Sequence, residues 1–186
     1  MRFLVRTLRA LLVLPLLAAP VPAFADPYTD TAAIDELFAQ LRTSQDANEA
    51  NEISQQIWDL WFAPSNPDLA KRMARSSLAL AAGDPGASLL ELTGIVTDYP
   101  DYAEGWNQRA TLYYMLDNLE ASLADIDKVL AIEPRHYGAL SGRVLIYLKQ
   151  GKHDEALRDM RAALALHPYL NERRLFPELA QDVTHV

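Results

Sequence analysis

The sequence predicts an all-α chain, a solenoid of stacked antiparallel helix pairs, on three observations. After residue 25 it holds 23 Leu and 23 Ala against 12 Ile plus Val, a balance that favours helix because β-branched side chains lose rotamer freedom there. It has no cysteine, so disulfides, thiol catalysis and cysteine metal sites are excluded, and packing alone must hold the fold. Pro100, Pro134 and Pro168 stand 34 residues apart, and a fixed period of that size marks units that bury their faces only by stacking. The 186 residues suffice for one domain with a real core.

Residues 1–25 read as a secretory signal peptide. Arg2, Arg6 and Arg9 give a basic start, Leu11 to Leu17 an apolar centre and Ala23-Phe24-Ala25 a small-x-small site, so cleavage after Ala25 is expected. A membrane span needs about 20 apolar residues, and Pro15, Pro20 and Pro22 interrupt this run. The expected location is therefore periplasmic or secreted, with no stable membrane insertion after cleavage. Losing the three arginines takes the net charge from −8 to −11, which argues against a nucleic-acid partner because phosphate needs basic surface.

Residues 26–66 are expected to form a helical hairpin capping the N-terminal end of the solenoid. Its first stretch carries Leu37, Phe38 and Leu41, and its second carries Ile53, Ile57, Leu60 and Trp61 at helical spacings. Five large apolar residues crowd into Ile57-Trp58-Asp59-Leu60-Trp61-Phe62, more than one helix face can hold. Packing against the helix beginning at Pro67 would absorb the excess. The sharper reading is an exposed patch of Trp58 or Phe62 for a partner, since aromatic anchors dominate interface energies. Charge is uneven as well: residues 26–62 carry eight acids and one base, residues 137–170 three acids and five bases.

Residues 67–170 hold three repeat units, at 69–102, 103–136 and 137–170. The second and third align without gaps, pairing Trp106 with Leu140, Ala110 with Val144, Tyr113 with Tyr147, Ser122 with Ala156 and Val129 with Ala163. In the first unit Ser76, Gly83, Ser88, Leu92 and Pro100 fit, while Arg72 replaces a large apolar residue and Ile95 a small one. Asn66-Pro67 and Asp84-Pro85 supply cap-plus-proline helix starts. Residues 171–186 are expected to close the C-terminal end with a short helix broken or kinked at Pro177.

The aromatic, small and tyrosine places of Trp106 to Tyr113, with Glu155-Ala156-Leu157, Ala163 and Pro168, resemble the tetratricopeptide repeat (TPR). In layout the chain also resembles small exported TPR proteins of Gram-negative bacteria. The resemblance implies a right-handed TPR solenoid whose first helices line a concave, peptide-binding groove. The lining residues it implies are Met73, Ser77, Leu80 and Ala81, then Asn107, Thr111, Tyr114 and Met115, then Ser141, Leu145, Leu148 and Lys149. Tyr114 and Leu148, one period apart, are expected side by side, either on the groove wall or under a folded-back C-terminal segment. TPR domains that clamp a C-terminal carboxylate use a basic and asparagine set; the matching places here hold Met73, Ser77, Gln108, Gly138 and Gly142, so that mode is not expected.

Arg109 and Arg143 occupy equivalent places and are followed sixteen residues later by Asp125 and Asp159. A partly buried arginine needs a carboxylate, so two structural ion pairs across the helix hairpins are expected. His136, His153, His167 and His185 fall at junctions, a turn and the terminus, lack the i, i+4 spacing of helical zinc ligands and are expected to be solvated. No phosphate loop or nucleophile elbow occurs. The chain therefore reads as an exported, non-enzymatic adaptor without cofactor or metal, as monomer or homodimer, that binds a protein or peptide segment. A homo-oligomerising structural subunit of an envelope complex, joined through the Trp-rich hairpin, is the alternative.

Overall fold

A computed structural model describes residues 26–179. The expected signal peptide and its cleavage site, and the last part of the C-terminal segment, lie outside the described residues. Eight helices follow one another: α1 (Thr31–Thr43), α2 (Ala47–Phe62), α3 (Pro67–Ala81), α4 (Pro85–Asp98), α5 (Ala103–Met115), α6 (Leu119–Ile132), α7 (Tyr137–Lys149) and α8 (His153–Leu166). A 3₁₀ turn at Asn171–Leu175 comes after them. The described residues contain no strand. The C-terminal segment makes 3₁₀ turns on either side of Phe176 rather than one α-helix, as Pro177 in mid-helix requires.

The helix ends are written into the sequence. Side chains of Asp30, Asp46, Asn66, Asp84 and Asn118 accept backbone N–H groups in the first turns of their helices, satisfying donors that have no intrahelical partner. Gly83, Asp117 and Gly151, one period apart, all adopt positive φ (78°, 61° and 72°) and end the first helix of each repeat, where a left-handed residue releases the chain. Tyr102 caps α5 with no side-chain bond. Asp26 takes that role from far away in sequence, accepting the Ala103 N–H at 3.1 Å. Burial raises the Asp26 pKa despite its backbone bonds from Tyr28 and Ala103.

Helices pair as α3/α4, α5/α6 and α7/α8, and the pairs stack in chain order. Each seam repeats one device. Leu112 of α5 clusters with Leu92 and Ile95 of α4, and Ile146 of α7 clusters with Ile126 and Val129 of α6. Met160 and Ala163 of α8 meet Phe176 and Leu179, so the C-terminal segment covers the last repeat.

Arg109 Nε donates to Asp125 Oδ2 at 2.7 Å, and Arg143 Nε to Asp159 Oδ2 at 2.6 Å, each with a second parallel bond. The Asp125 hydrogen bond raises the Arg109 pKa further; burial opposes charge on Arg143, yet Asp159 prevails. The first repeat holds a third pair in the same place: Arg75 Nη2 donates to Glu91 Oε1 at 2.9 Å. Arg72, the misfit of that repeat, reaches the same Glu91 at 3.0 Å and Asp98 at 2.6 Å. Bonding to Arg75 lowers the Glu91 pKa.

The α1/α2 hairpin departs from the expected cap. Its buried residues, among them Phe38, Leu41, Ile57 and Trp61, cluster with Tyr137, and Leu166 and Leu170 pack against the same cluster. The hairpin thus lies along the edge formed by the inter-repeat loops, not stacked before α3. Tyr102, His136 and Leu170 are the same place in three successive repeats, and all three meet it.

Candidate functional site

The edge contact is aromatic with polar groups buried inside it. The Trp61 indole stacks on the His136 ring at 4.1 Å and 9°, and Trp58 packs edge-on against His136 and Tyr137. Tyr102 donates its hydroxyl to the Trp61 carbonyl at 2.7 Å, and Ser54 and Tyr137 share a hydrogen bond at 2.8 Å. Burial raises the pKa of both tyrosines, so both hydroxyls stay protonated donors. The Ile57–Phe62 set therefore wedges on the start of α7, not on the helix beginning at Pro67. Trp58 is half-buried there, while Phe62 is 46% exposed.

His136 and His167 are buried, against the expectation of solvated surface, because the hairpin covers the loops that carry them. His136 Nδ1 accepts the Ala139 N–H at 3.0 Å and so caps α7. Its proton then lies on Nε2, which donates to Glu104 Oε2 at 3.1 Å. Glu104 is fully buried and also accepts from Asn107 and Gln108. Three donors thus meet its carboxyl oxygens at the N-terminal end of α5.

Between α2, α5, α7 and the turn after α8 a cavity of about 510 Å³ opens. Asn107, Thr111, Tyr114, Ser141 and Leu145 line it, together with Trp58, Gly138, Gly142, His167 and Tyr169. Asn107 is fixed by its bond to Glu104, and Ser141 Oγ is buried with no partner. Such an orphan hydroxyl beside an apolar cavity is a place for a ligand's polar group. A separate recess of about 280 Å³ takes Met73, Ser77, Leu80 and Ala81 with Gln108 and Leu112.

The other groove residues part company. Met115 is exposed, and Lys149 Nζ bonds Asp117 and sits 5.7 Å from the Tyr114 ring centre. Leu148 packs with the third-repeat cluster that holds Phe176, whereas Tyr114 packs with the second-repeat cluster. The expected Tyr114–Leu148 pair on one wall is thus replaced by Tyr114 with Leu145. Sequence reasoning missed Tyr137, His167 and Tyr169 as cavity residues. Their signal lies in sitting at or beside the repeat-closing prolines, where the loops meet α2. The described residues contain no cluster fit for a metal ion, and no helix among them is long and apolar enough to cross a membrane.

Stacked helix pairs of 34-residue period around a side-chain-lined groove define a protein-interaction repeat scaffold. The chain belongs to the tetratricopeptide-repeat family. Over 135 residues it is 35% identical to a TPR repeat-containing protein of Rhizobium etli, an alignment covering 73% of this chain and 66% of that one. Over 109 residues it is 31% identical to human DnaJ homolog subfamily C member 3, covering 59% of this chain and 22% of that protein. It thus spans about two thirds of the first relative and less than a quarter of the second. No family model matches. The crystal structure of MamA protein superposes with a TM-score of 0.50 at 18% identity, covering 77% of this chain and 76% of that one, a likeness of fold alone.

Proposed function

We propose that this chain is an exported, non-enzymatic TPR adaptor that holds a segment of another protein in the cavity between α2, α5 and α7. The observation that carries the reading is the wall itself: the half-buried apolar side chains Tyr114 and Leu145 alternate with Asn107, Thr111 and the unpartnered Ser141 hydroxyl. That mixture suits a peptide, whose side chains seek apolar surface while its backbone seeks single hydrogen-bonding partners. The basic, apolar and small-x-small pattern of residues 1–25 supports export. A photocrosslinker at Thr111, expressed in the native envelope, should trap a protein that Tyr114→Ala releases. Adducts from a probe at Phe62 with none at Thr111 would move recognition to the hairpin. N-terminal sequencing of the exported form should begin at Asp26.

A further inference from the structure

Each seam between repeats is built by one rule, and the rule leaves one end open. The second helix of a repeat offers an aliphatic pair three residues apart, Leu92 and Ile95 or Ile126 and Val129, and the next repeat inserts Leu112 or Ile146. At the trailing end the matching pair is covered by Phe176 and Leu179. At the leading end Leu78 holds the place of Leu112 and Ile146, one period earlier. It is 70% exposed where they are 1% and 0% exposed, since the hairpin that precedes it in sequence lies on the loop edge instead. Leu78 and Leu90, both in the first repeat, are more exposed than any other large apolar side chain among the described residues.

Charge at the open seam has a counterpart in a filled one. Arg75 stands in the place of Arg109 and Arg143, and its side chain is 56% exposed where theirs are 14% and 20%. In the seam between the second and third repeats, Arg143 reaches back to Asp127 of the preceding α6 at 2.9 Å, in addition to its own Asp159. No described residue plays the part of Asp127 for Arg75. Lys71, one turn earlier on α3, is exposed as well.

We propose that the leading face of α3 is a docking surface for an acidic amphipathic helix of a partner protein, which sets an aliphatic pair against Leu78 and a carboxylate against Arg75. The filled seams supply the template: an aliphatic pair packs on the same place twice in this chain, and the seam between α6 and α7 adds the carboxylate of Asp127. A second copy of the chain is the poorer occupant, because its own trailing pair is covered and two leading faces would set Arg75 and Lys71 of each copy together. The surface is distinct from the cavity between α2, α5 and α7 and does not depend on it.

A stapled, fluorescein-labelled peptide with the sequence of residues 119–132 carries Ile126, Asp127 and Val129 and serves as the probe. Added to the full chain, it should bind saturably, with NMR shifts confined to α3 and α4. Leu78→Asp should weaken binding about tenfold or more, and an Asp127→Lys change in the peptide by about threefold or more. Leu175→Asp, an exposed leucine beyond α8, should leave binding unchanged. The proposal is overturned by a failure to bind, by binding indifferent to Leu78→Asp, by shifts centred on Ile146, or by a dimer of the free chain that Leu78→Asp dissolves.

Discussion

Two kinds of seam hold this molecule. Between repeats the contact is periodic and aliphatic, with Leu112 and Ile146 seated in equivalent notches and an arginine–carboxylate pair closing each hairpin. Between the hairpin and the loop edge the contact is aperiodic and aromatic, with Trp58, Trp61, His136 and Tyr137 stacked around buried Glu104 and Ser54. The first tolerates substitution of one aliphatic residue for another, since each unit needs only volume and a helical stripe. The second depends on particular rings and on hydrogen bonds with one geometry, so its failures should be local and large.

The largest effect is expected at the aromatic seam. Trp61→Ala removes a buried ring stacked on His136, and it should cost about 3–5 kcal/mol in denaturant titrations, with the hairpin released before the repeats. Coincident loss of hairpin and repeats at one lowered midpoint would show that the two seams are not separable.

The ion pairs come next, and burial should rank them. Asp125→Ala strands Arg109 and should cost about 3 kcal/mol, much of it recovered when Arg109→Leu is added. Glu91→Ala should cost under about 1 kcal/mol, because water screens the exposed Arg75 and Arg72 retains Asp98. Additive losses in the Arg109–Asp125 double-mutant cycle would remove that pair from the architecture.

Two glycines on one helix give a contrast of sign. A Cβ on Gly138 would sit 2.5 Å from the Trp58 ring, whereas one on Gly142 meets only Ile126 Cδ1 at 3.7 Å. Gly138→Ala should therefore destabilise by about 1–3 kcal/mol, while Gly142→Ala should be neutral or stabilise by up to about 1 kcal/mol. Equal melting temperatures for the two variants would mean that Trp58 moves freely.

The smallest effect is a pH slope. Burial lowers the pKa of His167, which lies edge-on to Tyr137 at 5.3 Å. The unfolded chain takes up a proton on this residue near its ordinary value of 6.5, and the folded chain resists. Stability is therefore intact above that pH and declines as pH falls below it. Melting curves of His167→Gln should decline less steeply over the same range.

The periodic seam was legible because spacing alone encodes it: residues 34 apart share a place, and residues 16 apart face each other across a hairpin. The same arithmetic applied to Arg75 and Glu91 reveals the third ion pair, whose acid is shared with Arg72, the misfit of that repeat. The hairpin's docking was not legible. Ile57 to Phe62 announce surplus apolar surface but not its destination, and the answer involves Tyr137, 83 residues beyond its partner Ser54. The two junction histidines misled for the same reason, since loop position implies solvent only while nothing covers the loop. In the groove, the resemblance to the tetratricopeptide repeat placed Asn107, Thr111, Ser141 and Leu145, which line the cavity, and also Leu148, which packs instead in the cluster that holds the C-terminal segment.

A hairpin fastened to the loops that close all three repeats changes how such an array can come apart. A simple solenoid joins only nearest neighbours, so its ends can fray while its middle stays folded. Here Asp35 is tied to Arg135, 100 residues away, and Asp26 caps the helix that begins at Ala103. Opening any one repeat therefore strains a tie shared by the others, and melting becomes a collective event instead of a stepwise one. The order of assembly follows too. The hairpin is the first part of the described chain to be synthesised, yet its seat is complete only when Leu170 has been made, so its docking cannot be completed before the third repeat exists.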